Sequence, residues 1–296
     1  MSEFERIIPI KIEKGESSSH EVSSTSETNK DCQKKDTLQS ASQQTKPHVQ
    51  IKPLNESKSY EYLKKYYVFE ERGKDPIVNI NVPEKIILVI DRAQDEHCSN
   101  FIAKNIKYTP MTMLRKSLHL FVKLKSMINK NHEFAIVLLN ENNASWYMNF
   151  TSDVRRIDNA IGTITQCEVE DTFDISLIFE EIIPNIKVPE ETVAPPYIIR
   201  TVLFYGRSYT VPELKFSEDI QALLDRPFFI FDVLMTHEPI DKSNHCSKIF
   251  ERLQNIDKKG ISYFFPVGRN TRRLHNSIAK LLGHGLQRPL QKLQKI

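Results

Sequence analysis

Apolar and polar positions follow two different patterns along the chain from about residue 84 onward. Near-continuous apolar runs rich in Ile, Val and Phe alternate with segments in which apolar residues recur every three or four positions. The runs are typical of strands covered on both faces, and the spaced pattern is typical of helices with one buried face. The predicted strands span 85–90, 133–139, 145–151, 197–206, 227–235 and 261–267. The third alternates more strictly between apolar and polar residues, so we expect an edge or antiparallel strand there.

Capping residues predict where the helices begin and end. Thr109 before Pro110 indicates an N-cap followed by proline at the first helical position. Gly283 is a candidate C-cap glycine for the last helix. The other predicted helices begin at Ser152 or Asp153, at Thr172, at Ser217 and within 244–256, and the last one spans 270–282. Because strands and helices alternate, the sequence predicts an α/β fold with a doubly wound, mostly parallel six-stranded sheet and helices on both faces.

Composition divides the chain into four predicted regions. Residues 1–59 are rich in Ser, Thr and Lys, which predicts a disordered arm because such a segment buries too little surface to offset its ordering entropy. Residues 60–83 are aromatic-rich and are interpreted as a linker or edge element, with a partner-docking segment as the alternative. We expect one domain over 84–285 and a C-terminal peptide over 286–296.

Charge and cysteine content disfavour several classes of protein. The chain of 296 residues has 41 Lys and Arg against 38 Asp and Glu, a formal charge of +3, so whole-chain electrostatics predict no nucleic-acid partner. Its four cysteines form no C-x-x-C pair, which disfavours a disulfide framework or a zinc module and is typical of a reducing compartment. The first residues contain no uninterrupted apolar core, and no stretch approaches the roughly 20 apolar residues of a spanning helix. We therefore expect an intracellular protein without a membrane segment.

The motifs of nucleotide-binding and hydrolytic α/β enzymes are missing from the sequence. Only eight glycines are present, and neither G-x-G-x-x-G nor G-x-x-x-x-G-K-[ST] follows a predicted strand. The nucleophile elbow G-x-S-x-G and the zinc motif H-E-x-x-H are absent as well. The sequence therefore predicts no catalytic residues and no cofactor, and an uncharacterised α/β enzyme is only a third interpretation.

The end of the first predicted strand carries a pattern that suggests ligand chemistry. Asp91 follows the apolar run 86–90, and Asp95 lies four residues later, at the end of the sheet where open α/β folds bind their ligands. With the strand order and helix content, this acidic strand end resembles the von Willebrand factor A fold. That family's cation site uses D-x-S-x-S after the first strand, a Thr from a second loop and an Asp after the fourth strand. Hard oxygen ligands of this kind suit magnesium.

The sequence departs from that cation-site pattern at several positions. Ala93 stands at the first serine and offers no oxygen, Asp95 replaces the second serine, and Thr172 is the candidate for the distant threonine. Arg207 follows the fourth strand in place of the aspartate, and its guanidinium repels a dication. We therefore expect no bound metal, a degenerate remnant made of Asp91, Asp95 and Thr172, and an ion pair between Asp91 and Arg207. The alternative is a cation-dependent ligand-binding domain that uses the same three remnant residues.

Six stretches of sequence resemble one particular scaffold family. They occur in order over about residues 82–291 and read VPEKIILVID, KNHEFAIVLLN, TSDVRRI, PPYIIRTVLFYGR, PFFIFDVLMTHE and LLGHGLQRPLQ. On these motifs the chain is similar to the BRISC and BRCA-A complex member one family, a mediator-of-Rap-interaction scaffold subunit with a von Willebrand factor A-like fold. The stretches PPYIIRT and LQRP are not general features of that fold, which makes the resemblance specific.

The resemblance implies a function that the residues alone do not show. The family is a non-catalytic scaffold of BRISC-type and BRCA-A-type deubiquitinase complexes, which cleave lysine-sixty-three-linked ubiquitin chains. It implies direct binding to a ubiquitin-E2-variant subunit of the BRE or BRCC-forty-five type, within an assembly that holds a JAMM-type deubiquitinase and an Abraxas-type scaffold. It further implies work in the cytoplasm and nucleus, including the DNA damage response. The sequence lacks the H-x-H motif of a JAMM protease, which agrees with a non-enzymatic role.

The last part of the chain is basic and ends in an extended segment. Residues 269–296 contain seven Lys and Arg and no Asp or Glu, which indicates a solvated helix face or a surface that meets an acidic partner. After the last helix come the proline-containing residues Leu286, Gln287, Arg288, Pro289 and Leu290. We expect these five to bind a groove of the ubiquitin-E2-variant subunit, with Arg288 donating charge-assisted hydrogen bonds and Leu286 or Leu290 filling a pocket. A disordered tail is the alternative.

Overall fold

The structure is a computed structural model that describes most of the C-terminal three quarters of the chain. It describes residues 81–169, 172–190 and 195–291, together with the backbone of two short strands at 69–72 and 75–78. The predicted arm over 1–59, most of the aromatic-rich region 60–83 and residues 292–296 lie outside the described residues.

Ten strands in the described part of the chain form one large sheet and two hairpins. They are β1 Phe69–Arg72, β2 Asp75–Val78, β3 Glu84–Asp91, β4 Phe101–Ala103, β5 Ile106–Tyr108, β6 Glu133–Leu139, β7 Ala144–Thr151, β8 Ile198–Tyr205, β9 Phe229–Met235 and β10 Phe264–Pro266. The large sheet has the order β10-β9-β8-β3-β6-β7, in which β7 is antiparallel to β6 and all other neighbours are parallel. This order confirms the predicted von Willebrand factor A-like, doubly wound sheet with an antiparallel edge strand.

Six α-helices lie in the described residues, and side-chain caps explain the start of several of them. They are α1 Pro110–Ile128, α2 Val154–Thr163, α3 Ser176–Ile182, α4 Glu218–Asp225, α5 Cys246–Gln254 and α6 Thr271–Leu281, and a 3-10 turn over Ile183–Asn185 extends α3. The side chain of Thr109 accepts a hydrogen bond from the N–H of Thr112, as the sequence predicts. Asp153, rather than Ser152, caps α2.

Helix α3 begins later than the sequence predicts. It starts at Ser176 instead of just after Thr172, so the prediction that Thr172 opens this helix was wrong. The carboxylate of Asp174 accepts a hydrogen bond from the N–H of Ser176 at 2.9 Å, and Asp174 itself forms a β-bridge with Glu213. Because the chain is still extended at Asp174, a hydroxyl at position 172 cannot reach the free N–H groups of the first helical turn.

The helices cover the two faces of the large sheet and enclose two apolar cores. Alternate residues of β3 point to opposite faces, so that Ile86, Leu88 and Ile90 join one core while Ile87 and Val89 join the other. On the first face, α1, α2 and α6 pack together with the β4–β5 hairpin, and we call this group the α1 layer. On the second face, α3, α4 and α5 form the opposite layer. Among the described helices, none is both long and apolar enough to cross a lipid bilayer.

Two details of the strands depart from the sequence pattern. The β4–β5 hairpin was not predicted, because its strands have only three residues each. The last strand of the sheet is shorter than the predicted 261–267. The N–H groups of Ser262 and Tyr263 donate to the side chains of Asp257 and Asp232 instead of a neighbouring strand, at 2.8 and 2.7 Å.

Candidate functional site

The carboxyl ends of β3 and β8 bring an aspartate and an arginine together. The two strands are parallel neighbours, with Ile90 opposite Phe204. The guanidinium of Arg207 lies beside the carboxylate of Asp91, with Nε and Nη2 each 3.2 Å from Oδ1. Both side chains are fully buried. The predicted ion pair between these two residues is confirmed.

Backbone groups complete the surroundings of the Asp91 carboxylate. The N–H of Gly206 donates to Oδ2 at 3.1 Å, and the N–H of Ala93 donates to Oδ1 at 3.3 Å. Burial raises the pKa of Asp91, while the charge of Arg207 and the two N–H groups oppose that rise. Both carboxylate oxygens therefore have protein partners.

The guanidinium of Arg207 is enclosed as completely as the carboxylate. Nη1 donates to the carbonyl of Glu141 at 2.7 Å, and Nη2 donates to the carbonyl of Asn140 at 2.5 Å. The guanidinium carbon lies 3.9 Å from the centre of the Phe173 ring, a cation–π stack. Because the arginine is held on three sides, it cannot move aside without breaking these contacts.

The remaining residues of the predicted remnant do not build a cation site. Asp95 is buried next to the pair, where burial raises its pKa to about 6, whereas Thr172 is exposed at the surface. A magnesium ion requires hard oxygen ligands in octahedral geometry, yet Arg207 already binds the oxygens of Asp91. The residues present therefore do not fit the metal that the fold implies. In the described part of the chain, no group of three or more His, Cys, Asp or Glu side chains is placed to hold a metal ion.

A second ion pair closes the space in front of the strand ends. Arg269 donates to Oε1 of Glu238 through Nε at 2.9 Å and through Nη2 at 2.6 Å. The N–H of Ser99 donates to the same oxygen at 2.9 Å. The cavity left beside Asp91, Cys98 and Arg269 has a volume of about 30 Å³, too small for an organic ligand. These contacts join the loops that contain Ser99, Glu238 and Arg269.

Another charge cluster lies inside the sheet, beneath the C-terminal segment. Asp232, in the middle of β9, accepts hydrogen bonds from Nε of Arg200 at 2.8 Å and from Nη1 of Arg288 at 2.7 Å. Glu84, at the start of β3, pairs with Lys125 at 2.5 Å and with Arg200 at 3.4 Å. We call these five residues the internal charge cluster.

Burial and charge together set the ionisation of the internal charge cluster. Burial alone would raise the pKa of both carboxyl groups, but the cations more than offset it. Arg200 and Lys125 lower the pKa of Glu84 to about 2, and Arg288 and Arg200 hold the pKa of Asp232 below its usual range. Burial lowers the pKa of Lys125 to about 8 although Glu84 opposes that shift. Both carboxyl groups are therefore ionised at neutral pH.

The predicted partner-binding residues lie against the chain's own fold. Leu286 is only 4% exposed and packs in a small apolar core at the amino ends of the strands. Arg288 binds Asp232, and its guanidinium carbon lies 3.8 Å from the centre of the Tyr263 ring. Gln287 is half-buried. Leu286 and Arg288 thus have intramolecular partners that the sequence did not predict.

The end of the described chain also binds the edge of the sheet. The N–H of Phe264 donates to Oε1 of Gln291 at 2.6 Å, and Nε2 of Gln291 donates to the carbonyl of Phe264 at 3.0 Å. The side-chain amide therefore occupies both outward hydrogen-bonding groups of this edge residue. Pro289 and Leu290 remain exposed. Binding of a partner by residues 286–290 stays a prediction.

Comparison with known proteins relates the chain to one named group. It is 33% identical over 220 residues to the BRISC and BRCA1-A complex member 1 of Xenopus laevis, an alignment that covers 72% of this chain and 66% of that protein. It is 31% identical over 222 residues to the protein of the same name from Homo sapiens, with 72% and 67% covered. The chain belongs to the BRISC and BRCA1-A complex member 1 family. The alignments span about two thirds of the length of these relatives.

Solved structures that align with this member of the BRISC and BRCA1-A complex member 1 family do so at low sequence identity. A crystal structure of the SpRpn10 VWA domain aligns with 68% of this chain and 97% of its own, with a TM-score of 0.47 and 13% identity. A von Willebrand factor type A structure from Catenulispora acidiphila covers 72% of this chain and 44% of its own, with a TM-score of 0.43 and 12% identity. No family model matches the chain.

The stretches that resemble the BRISC and BRCA1-A complex member 1 family contain four of the five residues of the internal charge cluster, which the sequence analysis missed. Glu84 lies in VPEKIILVID, Arg200 in PPYIIRTVLFYGR, Asp232 in PFFIFDVLMTHE and Arg288 in LLGHGLQRPLQ. A signal was present, because Arg200 and Asp232 are single charges inside apolar strands, and a buried charge requires a partner. The sequence did not show which charges pair.

Proposed function

We propose that this chain is a non-catalytic scaffold subunit that stabilises a lysine-sixty-three-specific deubiquitinase complex, of the BRISC or BRCA1-A type, by binding its ubiquitin-E2-variant subunit. A JAMM-type deubiquitinase and an Abraxas-type scaffold are the further partners in the assembly, which works in the cytoplasm and the nucleus. The observation that carries the proposal is membership of a family whose relatives are named as complex members, over 72% of this chain.

The geometry at the strand ends supports a role in binding proteins. Arg207 neutralises Asp91 at the place where a related cation site would form. The adjacent cavity of about 30 Å³ leaves no room for a substrate beside these groups. Their chemistry is therefore structural, and binding has to use the outer surface of the domain and the C-terminal segment.

Residues 286–290 are the proposed contact with the ubiquitin-E2-variant subunit. Leu286 and Arg288 anchor this segment to the domain and leave Pro289 and Leu290 exposed. A segment that is held in place before binding loses less conformational entropy when it docks. In this proposal Leu290 enters a pocket of the partner, while Arg288 holds the segment in position by binding Asp232 of its own domain.

Binding of the purified ubiquitin-E2-variant subunit to full-length variants tests the proposal. Leu290→Ser is expected to weaken binding by about tenfold, because it removes an exposed apolar contact without changing the fold. Ile240→Ser removes a comparably exposed apolar side chain elsewhere and should bind as the wild type does. Leu286→Ser should instead lower the free energy of unfolding by about 2–4 kcal/mol, since it creates a cavity and buries a hydroxyl.

Two results of this binding experiment would count against the proposal, each in a different way. If Leu290→Ser binds as tightly as the wild type, the docking contact is wrong while the scaffold role stands. If the wild-type chain does not bind the subunit at all, the proposed function itself is wrong. Truncation after Gly285 is a poorer test, because it also removes Arg288 from the internal charge cluster.

A further inference from the structure

Charge is distributed unequally between the two helical layers. The helices of the α1 layer contain nine Lys or Arg residues and one Asp. The helices of the opposite layer contain six Asp or Glu residues and two Lys or Arg. The β4–β5 hairpin adds Lys104 and Lys107 to the basic side. The two helical layers therefore carry formal charges of opposite sign, although Lys125 of the basic layer is buried.

Exposed apolar side chains concentrate on the same basic layer. Of the eight large apolar residues that are exposed in the described part of the chain, Ile102 and Ile106 lie on the hairpin, and Leu120, Met127 and Ile128 lie on α1. The three described helices of the opposite layer carry none of the eight. On soluble proteins, contiguous exposed apolar side chains mark interaction surfaces, and three of these five residues lie on one stretch of α1.

The C-terminal half of α1 presents the apolar part of this surface as one stripe. Leu120, Met127 and Ile128 are 42%, 72% and 60% exposed, and their i, i+7 and i+8 spacing places them on one side of the helix. Lys123 is exposed between them and forms no ion pair with another described residue. On the buried side of the same helix, Lys125 donates to the carbonyl of Leu282 at 3.0 Å, so the C-terminal half of α1 packs against the end of α6.

We infer that the α1 layer, centred on Leu120, Lys123, Met127 and Ile128, is a docking surface for a protein whose acidic face carries apolar side chains between its carboxylates. The inference rests on the proposed function, since the partner is taken to be the ubiquitin-E2-variant subunit that also meets the C-terminal segment. Opposite charges steer the two faces together, and the apolar stripe supplies the buried contact. The acidic opposite layer would repel the same partner and so fixes the orientation of docking.

The pattern favours a protein partner over a nucleic acid. Binding to phosphate groups would need the cations but not the apolar stripe, because aliphatic side chains offer phosphate neither charge nor hydrogen-bond donors. The side chains beside Lys123 are aliphatic, whereas single-stranded bases stack on aromatic rings. An anionic membrane is the other surface that combines negative charge with apolar contact, and the experiment includes it as a competing outcome.

Matched variants on the two layers test the surface. Lys123→Glu is expected to weaken binding of the purified ubiquitin-E2-variant subunit by about tenfold and to reduce the dependence of affinity on salt. Met127→Ser should weaken binding by several-fold. Lys248→Glu reverses an exposed charge on α5, and Ile240→Ser removes an exposed apolar side chain outside the layer, so both should bind as the wild type does. A DNA duplex and vesicles of phosphatidylserine and phosphatidylcholine serve as the other two probes.

The outcomes separate this surface from the proposed function. Wild-type affinity in both Lys123→Glu and Met127→Ser would overturn the docking surface while leaving the scaffold role intact. Binding of DNA or vesicles that is lost in Lys123→Glu, with unchanged binding of the subunit, would overturn it as well, because the surface would then recognise phosphate. A wild-type chain that does not bind the subunit would overturn both proposals.

Discussion

Two buried arginine–carboxylate sites in the same sheet differ in what holds them together. Asp91 and Arg207 meet at the carboxyl ends of neighbouring strands and have one carboxylate for one guanidinium. In the internal charge cluster, Asp232 binds two guanidinium groups, and one of them, Arg288, comes from the C-terminal segment. At the first site, Arg207 lies where the related fold has a cation ligand. At the second site, the bond from Arg288 to Asp232 anchors the C-terminal segment to the sheet.

The difference shows that the stability lost when one member of a buried ion pair is removed depends on which partners the other member keeps. Removal of Arg207 would leave Asp91 with two backbone N–H groups as partners. Removal of the Asp232 carboxylate would leave Arg200 and Arg288 facing each other inside the sheet with only Glu84 nearby. Because an uncompensated buried charge is costly, the second site should be the more sensitive one.

The largest effect is expected from Asp232→Asn. The amide keeps the shape of the side chain but removes the charge that compensates two buried guanidinium groups, which should lower the free energy of unfolding by about 3–5 kcal/mol. Urea unfolding measures this loss. Asp158→Asn is the control, because Asp158 pairs with His119 at a half-exposed site and should cost about 0.5 kcal/mol or less. Equal losses of unfolding free energy in the two variants would show that the internal charge cluster does not anchor the C-terminal segment.

A smaller loss, about 2–3 kcal/mol, is expected from Arg207→Ala, since Asp91 then stays buried with only N–H partners. Thermal unfolding with and without magnesium sharpens the test. The wild type should unfold at the same temperature in both conditions, whereas magnesium should raise the unfolding temperature of Arg207→Ala by partly replacing the lost charge. Stabilisation of the wild type by magnesium would support a cation-dependent ligand-binding domain instead.

Gly285→Ala should displace the C-terminal segment at a cost of about 1–3 kcal/mol. A Cβ atom at this position would lie 2.5 Å from Cδ1 of Ile230, whose side chain is fully buried, and the N–H of Gly285 donates to Glu84. Hydrogen exchange at the amide of Phe264, which Gln291 protects, should accelerate in this variant. Gly162→Ala is the matched control, because a Cβ there meets no atom within 4 Å. Unchanged exchange in Gly285→Ala would contradict the tethering role.

The last prediction concerns the pH dependence of stability that Asp95 causes. Burial raises its pKa from 3.8 to about 6, so its contribution to stability is full below pH 3.8 and is lost as the pH rises through about 6. Asp95→Asn removes this titration, so the variant should gain up to about 3 kcal/mol relative to the wild type as the pH rises from 4 to 7. Glu84 acts in the opposite direction, because its pKa is lowered to about 2 and its contribution is lost as the pH falls below 4.5. Urea unfolding of the wild type and of Asp95→Asn between pH 4 and 7 measures this difference. A variant that loses stability relative to the wild type as the pH rises would contradict the prediction.

The pairing of Asp91 with Arg207 was predictable because it follows from local sequence patterns and the order of the strands. The apolar run before Asp91 marks a strand, and the position of Arg207 after the fourth strand follows from the order of elements in this fold. The carboxyl ends of parallel neighbours meet at one edge, so the pairing required no further information. The start of α3 was predicted wrongly because Asp174 forms a bridge to Glu213, a contact between distant positions.

The internal charge cluster and the course of residues 286–291 were not predictable in the same way. Glu84 and Gly285 are 201 positions apart in sequence, and Asp232 and Arg288 are 56 apart. An isolated charge in an apolar strand indicates that a partner exists, but several cations in this basic chain end are equally suitable. Only the path of the chain after α6 decides that Arg288, rather than a neighbouring cation, reaches Asp232.

The sequence by itself determined the alternation of strands and helices, the loss of the cation ligands and the motifs of the family. Each of these depends on residue type and local spacing, which fix burial periodicity and the available ligand atoms. The tertiary structure decided which charges pair inside the sheet, that the C-terminal segment is anchored, and that the basic and apolar surface residues share one layer. These properties depend on distances between residues far apart in the chain, and such distances exist only after the two cores have formed.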